Sequence, residues 1–273
     1  MEKFYGSNFC ILKWQGIFIK IFAVLFIWLA VNAAFTSRAI AADFQIQPMT
    51  MELGRNAKSG VFSVINNGNE KIDFQVSVQE WTQDEKGKDV FAETQDIVFF
   101  PKVMFVEPNS QRAIRIGLKA PLSVKEKTYR IFVQEIPTPK KVPDDPSKAI
   151  KAGVTIAFRF SMPIFVKPAA PQESYAINKI EMSRGAVKAL VANTGNVHVK
   201  LRTVKFIGKS NNGEEIFSKE VAGWYILHGL TLPYTTDIPQ ELCAKLAQID
   251  VSAQTENENI TGTLNVKNDM CTQ

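Results

Sequence analysis

After residue 41 the chain reads as short runs of alternating apolar and polar residues, separated by clusters of turn formers. Residues 74–81, Phe-Gln-Val-Ser-Val-Gln-Glu-Trp, alternate as a half-buried strand must, because successive side chains leave opposite faces. Residues 62–65 run into Asn66-Asn67-Gly68-Asn69, a turn signal. Residues 113–118 and 129–136 predict further strands, and Lys86-Gly87, Pro108-Asn109 and Pro121 fall in the connections. Helical periodicity is scarce, with residues 240–247 the best candidate for a short helix. Strands at roughly ten-residue spacing with polar turns predict an all-β, antiparallel sandwich rather than a parallel α/β fold.

The pattern breaks at Pro168-Ala169-Ala170-Pro171, a stretch that neither a helix nor a central strand accepts. The flanking blocks, 42–168 and 172–273, each have about the size of one immunoglobulin-like sandwich. The second block repeats the β pattern in residues 187–191, the turn Asn193-Thr194-Gly195-Asn196, residues 197–207 and the hairpin signal Asn211-Asn212-Gly213. No residue-level repeat relates the two blocks.

Residues 1–41 stand apart. A basic segment ends at Lys20, residues 21–34 are almost unbroken apolar, and Ala39-Ile40-Ala41 offers the small residues a signal peptidase accepts. A cleaved signal peptide is expected over 1–41; the rival, a membrane anchor, needs about 20 apolar residues. This segment also holds three of the five net positive charges, so the rest of the chain is only weakly basic. Its composition does not describe a nucleic-acid binder. Cys243 and Cys271 are the cysteines beyond it, and in an exported chain they predict one disulfide, with two free thiols as the alternative. His198 and His228 are the only histidines, and no motif assigns either a role. No cysteine–histidine spacing suggests a metal, and no nucleophile elbow, P-loop or dinucleotide fingerprint suggests an enzyme or a cofactor.

The most informative stretch is 154–166, with apolar residues at Val154, Ile156, Phe158, Phe160, Met162, Ile164 and Val166. It exceeds the usual strand length, and Pro163 within it cannot donate a ladder bond, which predicts an edge strand. A long apolar edge is an aggregation hazard unless covered, and its first half has only Arg159 to blunt it. Two readings stand: the edge pairs with another chain, or the alternation faces its own core. The preceding proline-rich, charged residues 137–153 predict a long loop.

Four segments carry a resemblance to a known family. They are Phe100-Pro101 with Pro108-Asn109-Ser110-Gln111-Arg112-Ala113-Ile114-Arg115, then Tyr129-Arg130-Ile131-Phe132-Val133-Gln134-Glu135-Ile136-Pro137, then residues 154–168, and the terminal cysteine pair. In order and spacing the chain resembles the PapD-like periplasmic chaperones of the chaperone–usher pathway. The resemblance implies two immunoglobulin-like domains set as a boomerang. The last strand of the first domain would complete the sandwich of a pilus or fimbrial subunit, which is then passed to an outer-membrane usher. It places Val154, Ile156 and Phe158 in the subunit groove, with Phe160 following them. It makes Glu135 and Lys167 members of an interdomain ion-pair group, with Glu256 the candidate third member.

One departure matters. The two basic residues with which well-studied members hold a subunit's terminal carboxylate align with Thr50 and Pro163, neither of which can do so. The chain therefore looks more like the archaic or alternative branch, and Arg130 and Arg159 are the nearest substitutes. The partners expected are pilus subunits and an usher, with self-dimerisation of the free form a further possibility. An exported structural or adhesive β-sandwich is the competing function, and an enzyme the more distant one.

Overall fold

The computed structural model describes residues 44–137 and 156–271. They form eighteen strands: β1 (Phe44–Gln47), β2 (Met51–Leu53), β3 (Ser59–Asn66), β4 (Ile72–Gln83), β5 (Asp89–Glu93), β6 (Ile97–Phe100), β7 (Val103–Val106), β8 (Ser110–Leu118), β9 (Lys127–Ile136), β10 (Arg159–Val166), β11 (Tyr175–Ser183), β12 (Ala186–Asn193), β13 (Val199–Ser210), β14 (Glu215–Ala222), β15 (Tyr225–Ile226), β16 (Thr231–Asp237), β17 (Leu246–Thr255) and β18 (Asn259–Asn265). The fold is all-β, and its sheets belong to two immunoglobulin-like sandwiches. Residues 44–166 build two sheets, ordered β1-β3-β8-β6 and β2-β10-β9-β4-β5, with β7 pairing β4. Residues 175–265 build the other two, β11-β12-β16 and β14-β13-β17-β18, with β15 pairing β13.

Alternation decides which residues fill each interior. In the first sandwich Phe62, Val64, Ile114 and Ile116 from one sheet are buried, as are Phe74, Val76, Ile131, Val133, Met162 and Ile164 from the other. The Phe44 and Phe74 rings meet edge to face at 4.8 Å, joining the two sheets. In the second, Val187, Ala189, Val191 and Leu232 pack with Val204, Phe206, Ile249 and Val251. Cys243 and Cys271 are joined across a separation of 28 residues, with their Cα atoms 5.7 Å apart.

Three sequence expectations change. The helix expected over 240–247 is a single turn, Gln240–Cys243, because β17 already begins at Leu246. The strand expected over 154–166 begins at Arg159. A residue-level repeat also exists between the blocks. Asn66 and Asn193 are both buried at the end of a strand. The Asn66 amide donates to the carbonyls of Glu70 and Val106 and accepts from the Gly68 N–H. That of Asn193 donates to Val197 and Ile226 and accepts from the Gly195 N–H. Asn-x-Gly-Asn is thus one corner, used once in each sandwich.

Candidate functional site

β10 lies between two neighbours, but unequally. On one side β9 pairs with it along its whole length, from Arg159↔Gln134 to Val166↔Lys127. On the other, β2 runs parallel and covers only Ile164, Phe165 and Val166. The Glu135 N–H donates to the Phe158 carbonyl at 2.8 Å, so even-numbered residues make the hydrogen-bonded pairs with β9. Odd-numbered residues turn their backbone groups away, as the Lys167 N–H shows by reaching the Leu53 carbonyl at 2.8 Å. Pro163 is odd-numbered, so its missing N–H costs the β9 ladder nothing. The stretch 159–163 is left as an open edge among the described residues.

The side chains assigned to this edge divide into three groups. Val154 lies outside the described residues. Ile156 is 61% exposed. Phe158 and Phe160 are half-buried, with their rings 6.2 Å and 5.1 Å from that of Phe44. They continue the row of Met162, Ile164 and Val166, which fills the sandwich's own interior. The exposed Arg159 lays its guanidinium over the Phe132 ring at 4.1 Å.

Arg130 sits directly across from Pro163, in a pair that brings side chains close. It is only 4% exposed, with its guanidinium 3.8 Å from the centre of the Trp81 ring and the Trp224 and Tyr225 rings farther off. Asp89 is 3.9 Å away, and Nε and Nη2 find no hydrogen-bond acceptor. Burial pushes the guanidinium below its usual value, while Asp89 and Tyr225 act the other way.

The ion-pair group implied by resemblance is not assembled. Lys167 bonds Glu52 at 2.8 Å, and Glu256 bonds Lys200 at 3.2 Å. A Glu135 carboxylate oxygen accepts the Phe158 N–H at 3.3 Å, holding the start of β10 rather than bridging blocks. What joins the two sandwiches was not legible as a motif. Trp81 and Phe165, on the outer face of the β10–β9–β4 sheet, pack with Tyr225 and Leu227. The Gln83 amide donates to the Tyr225 carbonyl at 2.9 Å and accepts the Leu227 N–H at 3.1 Å. Glu126, its side chain fully buried, accepts both the backbone N–H and Nδ1–H of His198 at 2.7 Å. The His198 ring stacks on Phe165 at 3.5 Å. Polar residues that bond across a tertiary interface carry no periodic signal, so nothing in the sequence pattern marked them.

Residues 43–172 match the family described as pili and flagellar-assembly chaperones, PapD N-terminal domain. The chain thus carries a PapD-like chaperone N-terminal domain over that block. Its fold is similar to one in the CsuC–CsuE chaperone–tip adhesion subunit pre-assembly complex, from the archaic Csu pili of Acinetobacter baumannii. That match has 19% identity and a TM-score of 0.54, and covers 81% of this chain and 97% of that one. The YadV chaperone matches at 14% identity and a TM-score of 0.55, covering 82% and 100% of the two chains. The class 5 fimbriae chaperone CfaA matches at 14% and 0.50, covering 82% and 99%. At such identities the likeness is one of fold. Among curated proteins the chain finds no match. PapD-like chaperones are not enzymes, and the geometry around β10 agrees with a binding role, since it offers backbone and apolar surface.

Proposed function

We propose that this chain is a periplasmic chaperone that stabilises pilus or fimbrial subunits by lending them the open edge of β10, and that it delivers them to an outer-membrane usher. The observation that carries this reading is the open edge itself: backbone at 159–163 that no strand pairs among the described residues, continued by the exposed Ile156. A subunit strand laid there satisfies those groups, and Val154 and Ile156, with the side of Phe158 that Phe44 leaves uncovered, enter its interior. Burial of Val154 and Ile156 is worth roughly 3–6 kcal/mol gross, at about 1.5–3 kcal/mol for each side chain, and the half-buried Phe158 adds less. Of the two candidate cations, Arg130 is the better anchor for a subunit's terminal carboxylate. It has nitrogens without acceptors and lies across from Pro163, whereas Arg159 is exposed. The export signal expected over 1–41 fits a periplasmic site of action.

Ile156→Asp tests the reading most cleanly. Ile156 is largely exposed, so the variant should melt with the parent protein and yet fail to capture subunits co-expressed with it. Phe160→Asp is the control for the row that faces Phe44, and should lower the melting temperature. A folded Ile156→Asp that still captures subunits would overturn the donor-strand role. Finding the mature protein on the cell surface, without a small β-rich partner, would favour an adhesive or structural module.

A further inference from the structure

The chain has two histidines, thirty residues apart, and both stand at one buried carboxylate between the sandwiches. Glu126 leaves the segment before β9 with its side chain fully buried; Oε2 takes both His198 bonds, while Oε1 finds no donor. His228, in the segment between β15 and β16, lies beside Glu126 and Lys125, and its buried Nδ1 is likewise without a partner. Around this core sit Phe165 and Tyr225 against His198, and Gln83 against the backbone of Tyr225 and Leu227. The next charges out are Arg130 with Asp89, and Lys200 with Glu256, the Lys200 ammonium 5.6 Å over the Tyr225 ring.

We propose that the junction between the two sandwiches is a proton-operated latch, closed while the His228 imidazole is neutral and released when it takes up a proton. A proton added to His228 falls on the buried Nδ1, which has no acceptor, in a place where burial penalises charge. Burial and Lys125 hold the His228 imidazole below the usual histidine range, while the Glu126 carboxylate and carbonyl act the other way. The sign follows. A histidine depressed in the closed state takes its proton more readily once the junction opens, so closure is full above the usual pKa and fades as pH falls. The aromatic cluster that excludes water from the junction would then part, and each sandwich would keep its own core.

Trp81 and Trp224 are the two tryptophans that follow residue 41, and both border the junction, so fluorescence reads its state directly. In protein recovered after export and processing, titration from about pH 7.5 to about pH 5 should give a reversible red shift with a midpoint below 6.5. Far-ultraviolet circular dichroism should stay unchanged over that range. His228→Asn should abolish the shift, Glu126→Gln should move it to higher pH, and His198→Asn should leave a His228-dependent transition in place. An emission spectrum indifferent to pH, or a shift that survives in His228→Asn, would overturn the proposal. Should His228→Asn fail to fold, proton NMR of the parent protein decides: a His228 titration above 6.5, or one out of step with the emission, also overturns it.

Discussion

Arg130 is held by packing more than by partners. Its guanidinium lies 3.8 Å over the centre of the Trp81 ring, and Asp89 stands at the outer limit of an ion pair. Replacing a buried charge by an apolar side chain of similar length is often close to neutral, whereas truncation loses the packing as well. Arg130→Met should therefore change stability by no more than about 1 kcal/mol, and Arg130→Ala should cost about 2 kcal/mol. Both are measurable by urea denaturation, and both should lose subunit capture if Arg130 anchors a carboxylate. Asp96 behaves differently. It takes hydrogen bonds from Lys127 at 2.8 Å and the Tyr129 hydroxyl at 2.7 Å, which hold its carboxyl below the usual range against the effect of burial. The stability this adds is complete above the ordinary Asp pKa and is lost as pH falls through the depressed one. Acid unfolding of Asp96→Asn should accordingly lack part of the parent's pH dependence below about pH 4, seen by following denaturation midpoints between neutral and acid solution.

At the scale of elements, the alternating strands were legible because each needs only period two and a turn at either end. The runs at 74–81, 113–118 and 129–136 lie within β4, β8 and β9. The extent of β10 was not legible, since alternation continues through 154–158 while the strand starts at Arg159. Apolar periodicity records which face a residue presents, and does not reveal whether a neighbouring strand pairs with it. Nor could turn chemistry alone disclose the shared corner of the two sandwiches, because a surface turn and a buried asparagine clamp have the same letters. The clamp makes a sharp prediction. Asn66→Ala or Asn193→Ala leaves two carbonyls and an N–H without the amide that bonds them. Each substitution should cost about 2–4 kcal/mol by chemical denaturation, well beyond an exposed turn residue. Equal losses at the two sites would mark them as the same device.

For the whole molecule, the resemblance foresaw an ionic joint, but the joint is an aromatic cluster flanked by Gln83 and Glu126. Ionic groups can be guessed by aligning charges; a glutamine bonding two backbone groups 142 and 144 residues away cannot. Gln83→Ala should loosen the arrangement of the sandwiches while leaving each core intact. Small-angle scattering should show a wider distribution of dimensions, with little change in circular dichroism. The disulfide acts on the second sandwich alone. Closing a loop of 28 residues corresponds to roughly 3–4 kcal/mol in the chain-entropy model. Cys271→Ser should lower the unfolding transition of that sandwich by a similar amount, read by calorimetry.

The shortness of β2 has a consequence for whatever joins β10. Since β2 already holds the three positions from Ile164 to Val166, a guest strand on that side runs along the same line and meets β2 end on. On the proposed reading the open edge is a berth closed at one end: a visiting strand can be of any length behind, but its foremost residue must stop or turn beside Pro163. Such a berth sorts its visitors by where their chains finish. A segment excised from the middle of a protein would have to bend sharply to fit, while a free terminus arrives with nothing left to turn.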